Sequence, residues 1–233
     1  MMKCVKAAVL SGVLLSVASF SYADAIVIED FESGSYGASW TRTGPRDFGS
    51  VNPAAAHDGG YGVSNSGWAW YTGEAGQLAE GDSVSAWFRM NSSSGRFYLG
   101  FDSDAFGTDS FVAAKNSGDI RFQENLGYGY RELNISGQSF EIGSWYLAEV
   151  VLGAGNTATG NLYGSDGTTL LNSLSHTFTD GFDGGVAIRS FGNIDIDTIA
   201  VDKATAPVPE PSTTLLFATG IAGLAGLMRR RRK

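Results

Sequence analysis

Three aspartates and two hydroxyls crowd the segment Phe101-Asp102-Ser103-Asp104-Ala105-Phe106-Gly107-Thr108-Asp109. Calcium is a hard ion that collects about six to eight oxygens from carboxylates and carbonyls. The segment lacks the closing glutamate and the glycine spacing of an EF-hand. Asp102, Asp104 and Asp109 therefore read as calcium ligands or as a solvated acidic loop. Gly67-Trp68-Ala69-Trp70-Tyr71 sets Trp68 and Trp70 on one side of an extended segment, where two flat indoles either stack on sugar rings or pack into a core. Gly127-Tyr128-Gly129-Tyr130-Arg131 repeats that spacing with Tyr128 and Tyr130 and adds the charge of Arg131. His57 and His176 are the only histidines. A zinc site would need carboxylates beside them, so they read as structural hydrogen-bonding residues.

Motifs for covalent or hydrolytic chemistry are missing. There is no Gly-x-Ser-x-Gly elbow, no His-Glu-x-x-His and no glycine-rich phosphate loop with a lysine. Glu141 and Glu149 stand apart, with Gly143 between them. The only cysteine, Cys4, precedes the first apolar stretch, so disulfides and thiolate nucleophiles are excluded from the remainder. The expectation is a non-enzymatic protein without a certain cofactor, structural calcium being the one open candidate.

The elements that must position these residues are short strands. Glycine numbers 32 and aromatic residues make up 12% of the chain, while long runs of helix-favouring residues are missing from the middle, a pattern of strands joined by tight turns. Ser83 to Asn91 alternates, with Val84, Ala86, Phe88 and Met90 on one face. After the turn Ser92-Ser93-Ser94-Gly95, Arg96 to Phe101 presents Phe97, Leu99 and Phe101, and the pair reads as a hairpin with one buried side. Further strands are expected at 25–31, 61–64, 110–114, 119–124, 145–152, 160–163, 173–178, 185–190 and 194–201. That spacing predicts an all-β, two-sheet antiparallel β-sandwich over residues 24–203. From Asp24 to Ala206 there are 9 basic and 23 acidic side chains, a net charge of −14. Such a surface repels nucleic acid and anionic lipid and favours cations and neutral glycans.

Gly143-Ser144-Trp145-Tyr146-Leu147-Ala148-Glu149-Val150, followed by Gly160-Asn161-Leu162-Tyr163-Gly164-Ser165-Asp166-Gly167, resembles a hairpin of the concanavalin A-like and laminin G-like jelly rolls. The segments 184–190 and 196–201 are similar to their closing strands, and 30–34 and 57–63 to their opening ones. The resemblance implies a jelly roll and, in many such domains, a structural calcium between the first and last strands. Here that ion would recruit Glu29, Asp30 or Glu32 with Asp195 or Asp197. Laminarinase-type hydrolases of this fold carry a Glu-x-Asp-x-x-Glu run, which this chain lacks.

The two ends speak of export. Met1 to Ala23 combines Lys3 and Lys6, an apolar stretch from Ala7 to Phe20, and the small residues Ser21-Tyr22-Ala23, which reads as a signal peptide cut by signal peptidase before Asp24. At the other end a 204–212 linker carries Pro209-Glu210-Pro211, followed by an uncharged run from Thr213 to Met228 and the basic tail 229–233. Two prolines flanking a glutamate hold an extended strip that an enzyme can grip. As a helix the apolar run would be about 24 Å long, short of a bilayer core of about 30 Å, which suits a transient inner-membrane anchor with a cytoplasmic C-terminus. This tail resembles the PEP-CTERM sorting signal of Gram-negative bacteria. The resemblance implies recognition by an exosortase and a host that makes exopolysaccharide and biofilm. The expected role is an exported, exosortase-sorted envelope or extracellular matrix protein that associates with neutral exopolysaccharide and binds carbohydrate. A polysaccharide-degrading hydrolase or lyase of the same fold is the alternative, and a purely structural or adhesive matrix protein is the third reading.

Overall fold

Alternation of apolar and polar residues decides most of the architecture, because in a strand successive side chains face opposite sides. The computed structural model describes residues 25–42 and 48–204. The expected signal peptide and sorting tail lie outside the described residues. The strands in chain order are β1 (Ile26–Glu29), β2 (Trp40–Arg42), β3 (Ser50–Asn52), β4 (Gly62–Ser64), β5 (Ala69–Tyr71), β6 (Ser83–Met90), β7 (Arg96–Ser103), β8 (Asp109–Ala114), β9 (Asp119–Glu124), β10 (Arg131–Gly137), β11 (Trp145–Gly153), β12 (Thr157–Tyr163), β13 (Leu170–Thr177), β14 (Gly185–Phe191) and β15 (Ile194–Asp202).

They form two antiparallel sheets. The first runs β13-β12-β11-β6-β15-β4-β3, with β1 added beside β15, and the second runs β10-β9-β8-β7-β14-β5-β2. β1 and β4 share one edge of β15: β1 pairs with Ile199–Val201 and β4 with Asp195–Ile196. Thr198, at the bulge between them, takes a positive φ of 42°. The hairpin expected at 145–163 is present as β11 and β12, with Leu147 opposite Tyr163.

The hairpin expected between Ser83 and Phe101 is corrected. β6 lies between β11 and β15 in one sheet, whereas β7 lies between β8 and β14 in the other. The turn 92–95 therefore carries the chain across the end of the sandwich. Phe88 of β6 and Phe97 of β7 stack at 4.6 Å across the core. An apolar face tells that a strand covers a core, not from which side.

The core between the sheets is rich in phenylalanine. Phe88, Phe97, Phe101, Phe111 and Phe122 are fully buried together with Leu99, Leu152, Leu162 and Ile188. Each buried aromatic of this kind contributes a few kcal/mol, about 3–5 lost on truncation to alanine. Gly160 lets the second sheet close on the first: a Cβ there would overlap the ring of Phe111. The exposed edges β10 and β13 meet at one side, where Asn134 Nδ2 donates to Ser175 O and Asn172 Nδ2 donates to Gly137 O, both at 2.8 Å. Side chains thus occupy backbone acceptors that would otherwise invite another strand.

Candidate functional site

At one end of the second sheet the β7–β8 and β9–β10 connections join into a single structure. Gly127 N donates to Phe106 O at 2.6 Å and Asn125 N to Thr108 O at 2.8 Å. Asp104 Oδ1 accepts from Phe106 N at 2.6 Å and Gly107 N at 2.9 Å, which is the local hydrogen bonding that aspartate offers a turn. Asn125 Nδ2 donates to Gly129 O while its Oδ1 accepts from Ser110. Gly127 bends the second loop with a φ of 59°, a left-handed conformation that glycine adopts without strain.

The paired loops hold three large apolar side chains out of the fold. Phe106 is 77% exposed, Tyr130 75% and Leu126 74%. Arg131 stands beside them in an ion pair with Glu124. The backbone of Tyr128 belongs to the short 3-10 turn Leu126–Tyr128; its side chain lies outside what is described. The sequence thus offered an acidic loop and a tyrosine ridge as separate features, and the structure makes them one tip.

Behind the tip lie carboxylates. Asp102 Oδ1 accepts from Asp183 N at 3.0 Å and Gly184 N at 2.8 Å, tying in a third loop. Asp109 opens β8 between Phe101 and Glu124. Burial, reinforced by the negative charges of Asp102, Glu124 and Asp180 and opposed by Arg131, pushes its carboxyl up to about 7. Burial also raises Asp102. Asp104 caps its own turn, so the three aspartates proposed as calcium ligands have separate tasks here. Among the described residues no group of three or more histidines, aspartates and glutamates is placed to hold a metal.

The carboxylates expected to join the chain ends are also engaged singly. Glu29 accepts from Phe31 N and Gly37 N, Asp30 from Glu32 N, and Glu32 from Gly60 N and Tyr61 N. Asp195 takes Arg89 Nη2 at 2.7 Å, Asn91 Nδ2 at 2.6 Å and Ser64 Oγ at 2.6 Å. Asp197, fully buried, accepts from the backbone of His57, Asp58 and Thr198. Glu29, Asp195 and Asp197 thus fasten a loop or strand by the hydrogen bonds that a buried carboxylate requires, and the exposed Asp30 and Glu32 tie down turns.

Trp68 is 4% exposed and sits with Tyr98, Val112, Ala114 and Ala187 in a second apolar cluster, against which half-buried Trp70 packs. The Arg189 guanidinium lies over Trp68 and Tyr98. No open indole face remains on Trp68 for a sugar. His57 stacks on Trp87 at 3.9 Å, and His176 lies edge-on to Phe178. The exposed Phe106 and Leu126 escaped the sequence reading. The signal that points to Phe106 is an aromatic residue in an Asp-Ala-Phe-Gly turn, where no strand exists to bury it.

The fold is that of the jelly-roll β-sandwiches. The structure is similar to a carbohydrate binding module, CBM66, from Bacillus subtilis, with a TM-score of 0.50 and 10% identity over 71% of this chain and 96% of that one. It is also similar to a xylan β-1,4-xylosidase from Bacillus halodurans C-125, with a TM-score of 0.51 and 11% identity, covering 75% of this chain but 38% of the longer enzyme. These likenesses show the fold alone. The galectin LEC-6 of Caenorhabditis elegans aligns at 13% identity over 58% of this chain and 95% of its own, with a TM-score of 0.41. Comparison with curated proteins gives no match. Residues 207–233 match the PEP-CTERM protein-sorting motif, which implies export and an exosortase as processing partner.

Proposed function

We propose that this chain is exported, cut by signal peptidase before Asp24, sorted by exosortase through Pro209-Glu210-Pro211 and the apolar run behind it, and then holds neutral exopolysaccharide at the cell envelope or in the extracellular matrix. The observation that carries the binding role is the tip. Large apolar side chains clustered in the open, on loops fixed by hydrogen bonds, mark a contact surface. Tyr130 and Phe106 offer ring faces to the C–H face of a pyranose, and Arg131 and Asp104 offer polar atoms to its hydroxyls. The net negative surface disfavours an acidic polymer unless cations bridge the two.

Capture of the host's exopolysaccharide by the full-length protein tests the reading. Stacking is non-ionic, so capture should change little with salt. Tyr130→Ala together with Phe106→Ala should abolish it while circular dichroism and melting stay near wild type, because both side chains are outside the core. Undiminished capture by that double variant overturns the reading. Trp70→Ala, by contrast, should lower stability. A polysaccharide hydrolase is the second reading, favoured by Asp109, a carboxyl held protonated to about pH 7 beside Asp102 and Glu124. Release of new reducing ends, lost in Asp109→Asn, would establish it.

A further inference from the structure

Behind the tip, the β13–β14 connection closes the end of the sandwich. Phe178 and Phe182 of this segment lie against Phe101 at 5.5 and 6.0 Å, and Phe178 also meets Phe122 at 5.7 Å. Phe178 N donates to Asn156 O at one end, and Gly184 O accepts from Leu78 N at the other. Between them, Thr179 to Phe182 make no hydrogen bond to the described residues, the mark of a segment that opens more readily than the strands beside it. The segment is pinned by Asp102, whose Oδ1 accepts from Asp183 N at 3.0 Å and Gly184 N at 2.8 Å. Gly184 comes so near β7 that a Cβ on it would stand 2.2 Å from the carbonyl carbon of Asp102. Asp102 itself takes a φ of 54° where β7 carries one residue more than β14 opposite it. A left-handed conformation costs a non-glycine residue energy, so the pin is a strained one.

A row of charge runs under this segment. Strand registers align Phe101, Asp109, Glu124 and Arg131 across β7, β8, β9 and β10. Asp109 and Glu124 share the side of their strands that carries Phe111 and Phe122 into the core. Asp109 is the member under most strain: Asp102 of β7, Glu124 of β9 and Asp180 of the closing segment bear on it as negative neighbours, and Arg131 of β10 is the opposing cation. Arg131 is already paired with Glu124. Asp183 faces Asp102 in turn, and His176 of β13 stands behind Phe178.

We propose that residues 178–184 form a latch governed by Asp109: the segment closes the end of the sandwich while Asp109 holds its proton, and lifts when the proton is lost. Lifting lets water reach the Asp109 carboxylate and carries Asp180 away from it, so it relieves both burial and repulsion. The closed chain holds the Asp109 carboxyl at about 7 against an ordinary 3.8. Below about pH 4 both forms keep the proton and lifting does not depend on pH. Between about pH 4 and pH 7 only the lifted form has released it, so lifting gains about tenfold per pH unit, and above pH 7 the gain is complete. Asp102 and Asp109 flank the β7–β8 loop, and Glu124 and Arg131 flank the β9–β10 loop, so the latch steadies the roots of both loops of the tip. The consequence for capture, which rests on the proposed glycan-binding role of the tip, is firmer holding of polymer at pH 5 than at pH 8.

Amide hydrogen exchange of the full-length chain, in a zwitterionic detergent with EDTA and corrected for the intrinsic effect of pH, tests the latch. The reporters are the Asp183 and Gly184 amides pinned on Asp102, with the amides of β11, between β12 and β6, as the measure of global unfolding. Asp183 and Gly184 should exchange faster than β11 at every pH, and their protection should fall by about a hundredfold from pH 5 to pH 8. In Asp109→Asn it should stay at the pH 5 level throughout. Glu124→Gln removes a negative neighbour and leaves Arg131 to Asp109, and should make the fall smaller. Exchange at Asp183 and Gly184 no faster than in β11, protection that does not change with pH, or a fall that persists in Asp109→Asn overturns the proposal. Exopolysaccharide capture should weaken from pH 5 to pH 8 in wild type and hold constant in Asp109→Asn. Capture absent at every pH refutes the reading of the tip, and the exchange data then decide the latch by themselves. Capture equal at both pH values beside a pH-dependent latch overturns the coupling of latch to tip.

Discussion

Replacing Asp109 by asparagine should stabilise this domain at neutral pH, an unusual outcome for a half-buried polar residue. In the folded chain the Asp109 carboxyl is raised from 3.8 to about 7, first by burial and then by Asp102, Glu124 and Asp180, with Arg131 in opposition. Below about pH 4 it is neutral in both folded and unfolded chains and contributes nothing to pH dependence. Between about pH 4 and pH 7 the folded chain keeps a proton that the unfolded chain has released, so stability falls as pH rises through this window. Above pH 7 the whole penalty is present. A shift of about three units at about 1.36 kcal/mol each gives about 4 kcal/mol as its ceiling. Asp109→Asn removes the charge without changing the shape. The gain over wild type should be near zero at pH 4 and approach that ceiling at pH 8, roughly 10 °C in melting temperature for a domain of this size. Urea unfolding of both proteins at pH 4, 6 and 8 measures the difference directly. An equal difference at all three values, or a less stable variant at pH 8, would refute the electrostatic reasoning.

Other perturbations probe other links. Gly160→Ala places a methyl group against Phe111 and should cost about 1–3 kcal/mol by overpacking, read as a lower denaturation midpoint. Arg89→Ala leaves the carboxylate of Asp195 buried without its cation, a loss of about 3–5 kcal/mol; urea unfolding checks it, and a loss below 1 kcal/mol would mean that Asn91 and Ser64 suffice. Glu210→Ala should retain the protein in the membrane fraction, whereas intact mass of the released wild-type protein should show Asp24 at its start and no arginine tail. Recovery of wild-type protein still ending at Lys233 outside the cell would contradict sorting.

Strands with a clean alternation were legible without coordinates. Val84, Ala86, Phe88 and Met90 on β6, like Tyr146, Ala148, Val150 and Leu152 on β11, repeat every second residue and are buried in the fold. Strands β2, β3 and β5, of three residues each, are too short for a period to be recognised. β10 reads Arg131-Glu132-Leu133-Asn134-Ile135-Ser136-Gly137, mostly exposed with a bulge between Glu132 and Ile135, so its apolar residues do not keep a two-residue rhythm.

The sequence by itself determined the all-β class, the net charge of residues 24–206 and the sorting motif, because each resides in local pattern, composition or contiguous residues. Sheet membership did not follow, since the partners of a strand lie far along the chain and either sheet can bury the same face. The tertiary structure alone decided that Trp68 is enclosed while Tyr130 and Phe106 stand in solvent. It also decided that Glu29 binds backbone amides and that the rings of Tyr36, Phe48 and Trp40 converge. A residue type fixes what a side chain can do, but exposure and neighbours fix what it does, and both are set by contacts between segments that sequence order does not bring together.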